Sequence, residues 1–238
     1  MRDDRPMTAL VRRLAAAFVA VLAFCIVSYA WFDRPVALWF KGHLGQPWSG
    51  WFNQITQLGL GGVWLVPAAV GAIVFRWAQI AAKTDRGELY WRIAANDATL
   101  LFASVAASGL AVDLLKGVIG RLRPYELFIH QLYGFEPVAI DWARNSFPSG
   151  HGQTAFAALS VIALALPRWR RLCYAFAILI AASRVILSVH YLSDVAMGAW
   201  FGVAGTLLLA RLFEKSGWEI VRPAAKQPPT RPSTPGSG

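Results

Sequence analysis

Charge is scarce in this sequence. Only 15% of its 238 residues are Asp, Glu, Lys or Arg, while 56% are hydrophobic. Too little polar surface is available to clothe a soluble domain of this size, which points to a chain whose solvent is the bilayer. Cysteine is nearly missing as well. Cys25 and Cys173 sit in different apolar runs with no motif around either, and read as ordinary core residues. No internal repeat is visible and no loop between apolar runs exceeds a few dozen residues, which excludes a second globular domain. The first apolar run is expected to be an uncleaved transmembrane helix rather than a signal peptide. It is long, ends in bulky Tyr29, Trp31 and Phe32, and shows no small-residue cleavage site.

Apolar runs are what the chain has in quantity. Six, over 14–31, 58–75, 98–119, 153–166, 172–189 and 195–213, approach the roughly 20 residues needed to cross about 30 Å of hydrocarbon. The fourth is short, which predicts a helix that takes in the preceding Ser149-Gly150-His151. The expected fold is all-α, an integral membrane bundle of six transmembrane helices. A short interfacial segment is expected over 33–57, where Trp39, Phe40, Trp48, Trp51 and Phe52 suit the headgroup region. The expected organisation is a cytoplasmic N-terminus (1–13), one membrane domain (14–214) and a cytoplasmic tail (215–238). Residues 223–238 are rich in Pro, Ser, Thr and Gly, a composition unable to form a core.

The net charge of +10 would suggest a nucleic-acid partner in a soluble protein. Its distribution argues for a membrane topology instead. With the N-terminus inside, the cytoplasmic segments hold Arg2, Arg5, Arg12 and Arg13, then Arg76, Lys83, Arg86 and Arg92, then Arg168, Arg170 and Arg171, then Arg211, Lys215, Arg222, Lys226 and Arg231. These are 16 of the 23 basic residues, so the positive-inside rule places both termini in the cytoplasm.

Three short patterns stand in order along the chain. Lys116 is followed by Arg123-Pro124, then comes Pro148-Ser149-Gly150-His151, then Ser183-Arg184 with His190 and Asp194 behind it. Eleven positions agree with one composite signature, and at roughly one chance in twenty per position coincidence is negligible. The signature resembles that of the type 2 phosphatidic acid phosphatase family, and the resemblance extends over the membrane domain. It implies a metal-independent lipid phosphate phosphatase without cofactor, acting through a phosphohistidine, with His190 as nucleophile and His151 as acid and base. A phosphorylated lipid in the bilayer would be its partner, and a bacterial inner membrane its location.

The residues support that chemistry on their own account. On the topology drawn from loop charge, every signature residue reaches the outer face, within or beside the loop 120–150 and the turn before the last span. Lys116, Arg123 and Arg184 can neutralise a phosphate dianion, and Ser149 and Gly150 open a helix whose N-terminal N–H groups favour the same oxygens. Asp194 follows His190 at i+4 and can hold one ring nitrogen, leaving the other as a directed base. His151 lacks a carboxylate nearby in sequence and suits the general acid, then the base for water.

Blander readings fit the other polar groups. Asp113 can pair with Lys116 at i,i+3, His43 and His130 match no signature position, and Gly61, Gly62, Gly198 and Gly202 read as helix-packing residues. A phosphotransferase would use the same phosphohistidine. A transporter would place charges near the midplane, often on repeats, whereas here they gather at one end. The substrate is left among phosphatidylglycerophosphate, phosphatidic acid, undecaprenyl pyrophosphate and a lipid A phosphate.

Overall fold

The computed structural model describes residues 5–45, 47–138 and 141–220; of the tail expected over 215–238, residues 221–238 lie outside them. The chain is helical, with no strand among the described residues beyond one isolated bridge between Arg121 and Phe135. Helix α1 (Arg5–Val27) runs through a π-helical turn (Ser28–Phe32) into α2 (Asp33–His43), and α3 (Trp48–Gln57) leads to α4 (Gly61–Ala81). Then follow α5 (Asp85–Ile119), the short α6 (Pro124–His130), α7 (Gly150–Ala165), α8 (Arg170–Ile186) and α9 (Leu192–Lys215).

The interfacial segment expected over 33–57 is formed by α2 and α3, and its first residue is packed inside the protein. Asp33, at the start of α2, is 1% exposed. Among the described residues, four helices are long and apolar enough to cross a membrane, over Met7–His43, Trp48–Ala81, Asp85–Ile119 and Leu192–Lys215. The fourth and fifth expected spans form helices of 16 and 17 residues, about 24–26 Å long at 1.5 Å per residue. They are short because α7 begins, and α8 ends, at the segments that carry the signature histidines.

Local chemistry explains the longest element. Thr84 caps α5 by accepting the Gly87 N–H at 3.2 Å, Asp85 and Glu88 occupy its first turn and Lys116 its last, each complementing the helix dipole. Gly120 ends it in the left-handed conformation (φ 60°). A Cβ there would fall 1.8 Å from the Glu136 carbonyl oxygen, so no other residue fits.

The interior is polar relative to the outer surface, as suits a bundle in lipid. Val66, Ile73 and Ile80 on α4 and Leu110, Leu114 and Val118 on α5 are exposed, whereas Ser104, Ser108, Gln153, Thr154, Ser160 and Thr206 are buried. Gln153 Nε2 donates to Ser108 Oγ at 2.6 Å and to the Val105 carbonyl at 3.2 Å, and Thr206 Oγ1 donates to the Ala157 carbonyl. Central α7 meets α9 at close range because Gly198 and Gly202 present no side chain. A Cβ on either would lie 2.3 Å from the Ser149 carbonyl oxygen or 2.4 Å from that of Gln153. This small-xxx-small spacing lets two backbones touch, and it sets α7's first residue against the first turns of α9.

Candidate active site

The signature residues converge where α5 ends, α7 begins, α8 ends and α9 begins. Lys116, in the last turn of α5, pairs with Asp113 at 3.0 Å as the i,i+3 spacing predicts. Its ammonium also lies over α7's first residue, since a Cβ on Gly150 would come within 3.1 Å of Nζ. Arg123 is the N-cap of α6, extended because Pro124 follows it. Its guanidinium stacks on Trp142 at 4.4 Å, and donates to the carbonyls of Trp142 (2.8 Å), Asn145 (3.2 Å) and Val189 (3.4 Å). Three of its five N–H bonds are thus spent on holding it, and two are left for an anion. Burial lowers its pKa to about 10, which still leaves it charged at neutral pH.

Arg184, in the last turn of α8, donates from Nη1 to Thr56 Oγ1 at 2.8 Å, while its buried Nε meets no acceptor. A half-buried guanidinium with a buried donor to spare is an incomplete anion site. His151 lies in α7's first turn, its ring packed so close to Gly59 that a Cβ there would fall 2.8 Å from Cδ2. Arg184, His190, Lys116 and Arg123 all act electrostatically on His151, so the two histidines and three cations share one locus.

Ser149 is fully buried and serves as N-cap, its Oγ accepting from Gly152 at 3.4 Å and its N–H donating to the Asp194 carbonyl at 2.9 Å. Gly150 and His151 follow it. By helix geometry their N–H groups have no carbonyl one turn back to bond, which keeps them available to a phosphate oxygen.

His190 sits in the turn between α8 and α9, 2% exposed, with its N–H on the Arg184 carbonyl at 3.2 Å. Its Nδ1 faces Asp194 Oδ2 at 3.5 Å, a contact longer than a good hydrogen bond. The looseness has a cause. Oδ2 already accepts from Ser146 Oγ at 2.6 Å and from the Tyr191 N–H at 2.8 Å. Burial, reinforced by Arg123 and Arg184, lowers the His190 pKa to about 4 against the opposing pull of Asp194, so the ring is neutral at pH 7 with a lone pair free.

Asp194 holds another partner that the sequence reading did not connect to the site. Arg121, two residues before the signature arginine, donates from Nη1 to Asp194 Oδ1 and from Nη2 to Asp33 Oδ2 at 2.8 Å. The one available signal was charge where charge is costly, an acid just after the first apolar run and an arginine just after the third.

A hollow of about 300 Å³ adjoins His151, lined among others by Gly59, Leu65, Leu110, Asp113 and Gln153. A second, of about 380 Å³, adjoins Arg123 and Val189 and is lined by Lys41, Ser49, Tyr125 and Trp142.

Residues 97–218 match the family model described as the PAP2 superfamily. The chain is 31% identical over 226 residues to a lipid A 1-phosphatase of Rhizobium johnstonii, covering 88% of each. It is 32% identical over 105 residues to an undecaprenyl-diphosphatase of Sulfolobus acidocaldarius, covering 44% of this chain and 48% of that one. Its fold is similar to that of a transmembrane PAP2-type phosphatidylglycerolphosphate phosphatase from Bacillus subtilis solved by crystallography. The TM-score is 0.56 at 23% identity, over 83% of this chain and 96% of the other.

Proposed function

The chain belongs to the PAP2 superfamily and is a membrane phosphatase, and from that premise we propose that it removes the 1-phosphate of lipid A through a phosphohistidine on His190. The convergence of a neutral, carboxylate-backed His190 with His151 and three cations carries the mechanism. The lipid A assignment rests on similarity to the Rhizobium johnstonii enzyme along 88% of both chains.

In the proposed reaction the free ring nitrogen of His190 attacks phosphorus in line while the bond to the sugar oxygen breaks. His151 gives its proton to that oxygen as it leaves. The in-line requirement puts the departing lipid alcohol opposite His190, and the hollow beside His151 has the mixed apolar and polar lining to receive it. Lys116, Arg123, Arg184 and the N–H groups at the start of α7 spread the charge that builds on the three equatorial oxygens. His151 then takes a proton from water, the water oxygen bonds to phosphorus, and the bond to His190 breaks to release phosphate. Loop charge supports placing this site on the non-cytoplasmic face of a bacterial inner membrane, with both termini inside.

Undecaprenyl pyrophosphate is the second reading, favoured by the Sulfolobus acidocaldarius relative. Purified protein should be given lipid A, undecaprenyl pyrophosphate, phosphatidic acid and phosphatidylglycerophosphate in turn, without an acceptor, and free phosphate measured. The highest kcat/KM is expected for lipid A, with only the phosphate at position 1 removed. Preference for any of the other three would overturn the assignment, and release only when an acceptor lipid is added would replace hydrolysis with transfer.

A further inference from the structure

Arg121 is the largest fully buried side chain among the described residues, 1% exposed and stacked on Tyr191 at 4.4 Å. Two carboxylates that are themselves 0–1% exposed flank it. One is Asp194. The other is Asp33, brought from the start of α2 and held by four donors: Ser28 Oγ at 2.7 Å, the Ser193 N–H at 3.1 Å, Ser193 Oγ, and Arg121 itself. Ser193 also accepts from Arg121 Nη1 at 2.5 Å, which closes a ring of hydrogen bonds.

Two buried carboxylates around one guanidinium leave a net charge of −1 when His190 is neutral. That balance is favourable to the chemistry. As the ring donates its lone pair to phosphorus it gains positive charge, and the enclosed group becomes neutral overall. Removing Arg121 would instead leave two carboxylates without their shared cation in low dielectric, which favours protonation of one of them. A protonated Asp194 has no reason to select the tautomer of His190 that leaves the far nitrogen bare.

We propose that Arg121 is a positioning residue for the reaction, bridging Asp33 and Asp194 so that the Asp194 carboxylate stays ionised and directed at Nδ1 of His190. The catalytic consequence rests on His190 being the nucleophile. The bridge also makes α2 a working part of the site, since Asp33 fixes the other end of the guanidinium.

The test uses the purified full chain in detergent micelles with lipid A as substrate, and compares Arg121→Met, Arg121→Lys, Asp33→Asn and the double variant Asp33→Asn/Arg121→Met. For Arg121→Met, kcat should fall about 100-fold with KM within about twofold, the loss expected when a group orienting a catalytic ligand is removed. Asp33→Asn should lose about tenfold in kcat, and the double variant should be no slower than Arg121→Met alone, because both act through one bridge. Arg121→Lys should recover part of the loss. The 15N spectrum of labelled histidine should show His190 protonated on Nδ1 in the parent and a mixture of tautomers in Arg121→Met. If Arg121→Met is not recovered folded, Asp33→Asn carries the same comparison. Wild-type kcat and an unchanged His190 tautomer in folded Arg121→Met, or in Asp33→Asn where that variant decides, would overturn the proposal. If the parent releases no phosphate, the functional reading fails, and the tautomer spectra still decide whether Arg121 orders His190.

Discussion

The backbone carbonyl of Asp194 accepts the N–H of Ser149 at 2.9 Å. One residue at the start of α9 therefore pins both histidine-bearing segments, α7's N-terminus through its main chain and the His190 turn through its side chain. Separation of the histidines is set by that residue and by the close approach of α7 to α9.

Asp194→Asn keeps the main-chain contact and removes the charge. A fall in kcat of about 10⁴ is expected from loss of the correct imidazole tautomer, together with destabilisation of about 3–5 kcal/mol from leaving Arg121 short of a partner. Steady-state kinetics and thermal unfolding in micelles check the two effects separately. A folded variant with near-parental kcat would remove Asp194 from the mechanism.

The two histidines should separate by what accumulates. With a lipid pyrophosphate, whose departing phosphate needs little acid assistance, His151→Ala should form the phosphoenzyme and hydrolyse it slowly, while His190→Ala should form none. Rapid-quench labelling that finds acid-labile phosphate on no histidine of the parent would eliminate this course.

The pH dependence follows from burial of His190, whose pKa is lowered to about 4. An unfolded histidine titrates near 6.5, so between those values the unfolded chain binds a proton that the folded chain refuses. Stability should therefore fall as pH drops from 6.5 towards 4, and the His190 contribution is fully present above that window. An NMR titration should find His190 neutral at pH 5.5. A midpoint near 6.5 would contradict the expectation.

In the proposed reaction three cations neutralise the phosphate, which is the electrostatic task a divalent ion would otherwise perform. Activity is expected to survive prolonged treatment with chelators. Strict dependence on an added divalent ion would show that Lys116, Arg123 and Arg184 are insufficient.

Gly202→Val puts methyl groups where a Cβ already lies 2.4 Å from the Gln153 carbonyl oxygen. Backbone cannot yield as a side chain does, so the cost should reach or exceed the 1–3 kcal/mol typical of overpacking. The unfolding midpoint of the variant measures it, and an unchanged midpoint would mean that the α7–α9 contact is looser than described.

Much of the site was legible because its parts are local. Lys116 to Pro124, Pro148 to His151 and His190 to Asp194 are short spacings whose geometry follows from a helix end or a tight turn, and loop charge sorted them to one face. The bridge through Arg121 was not legible, since its contacts join positions 88 and 73 residues apart and nothing local marks Asp33 as a buried partner. The start of α7 was legible too, since the helix expected to take in Ser149-Gly150-His151 begins at Gly150, whereas α5 starts at Asp85, well before the expected 98. Apolar runs report where lipid or core can lie, while helix ends are set by caps such as Thr84 and Gly120 on α5.

The family match begins at residue 97, yet the carboxylate that steadies Arg121 comes from residue 33, the hydroxyl that anchors Arg184 from residue 56, and the glycine under the His151 ring from residue 59. What is recognisable as a family and what is autonomous as a machine are thus different lengths of chain. A fragment covering only the matched region would keep every signature residue and lose the contacts that hold two of them, Arg184 and His151, together with the partner of Arg121. Swapping the first 60 residues between relatives should be expected to transplant part of the catalytic apparatus along with the membrane anchor.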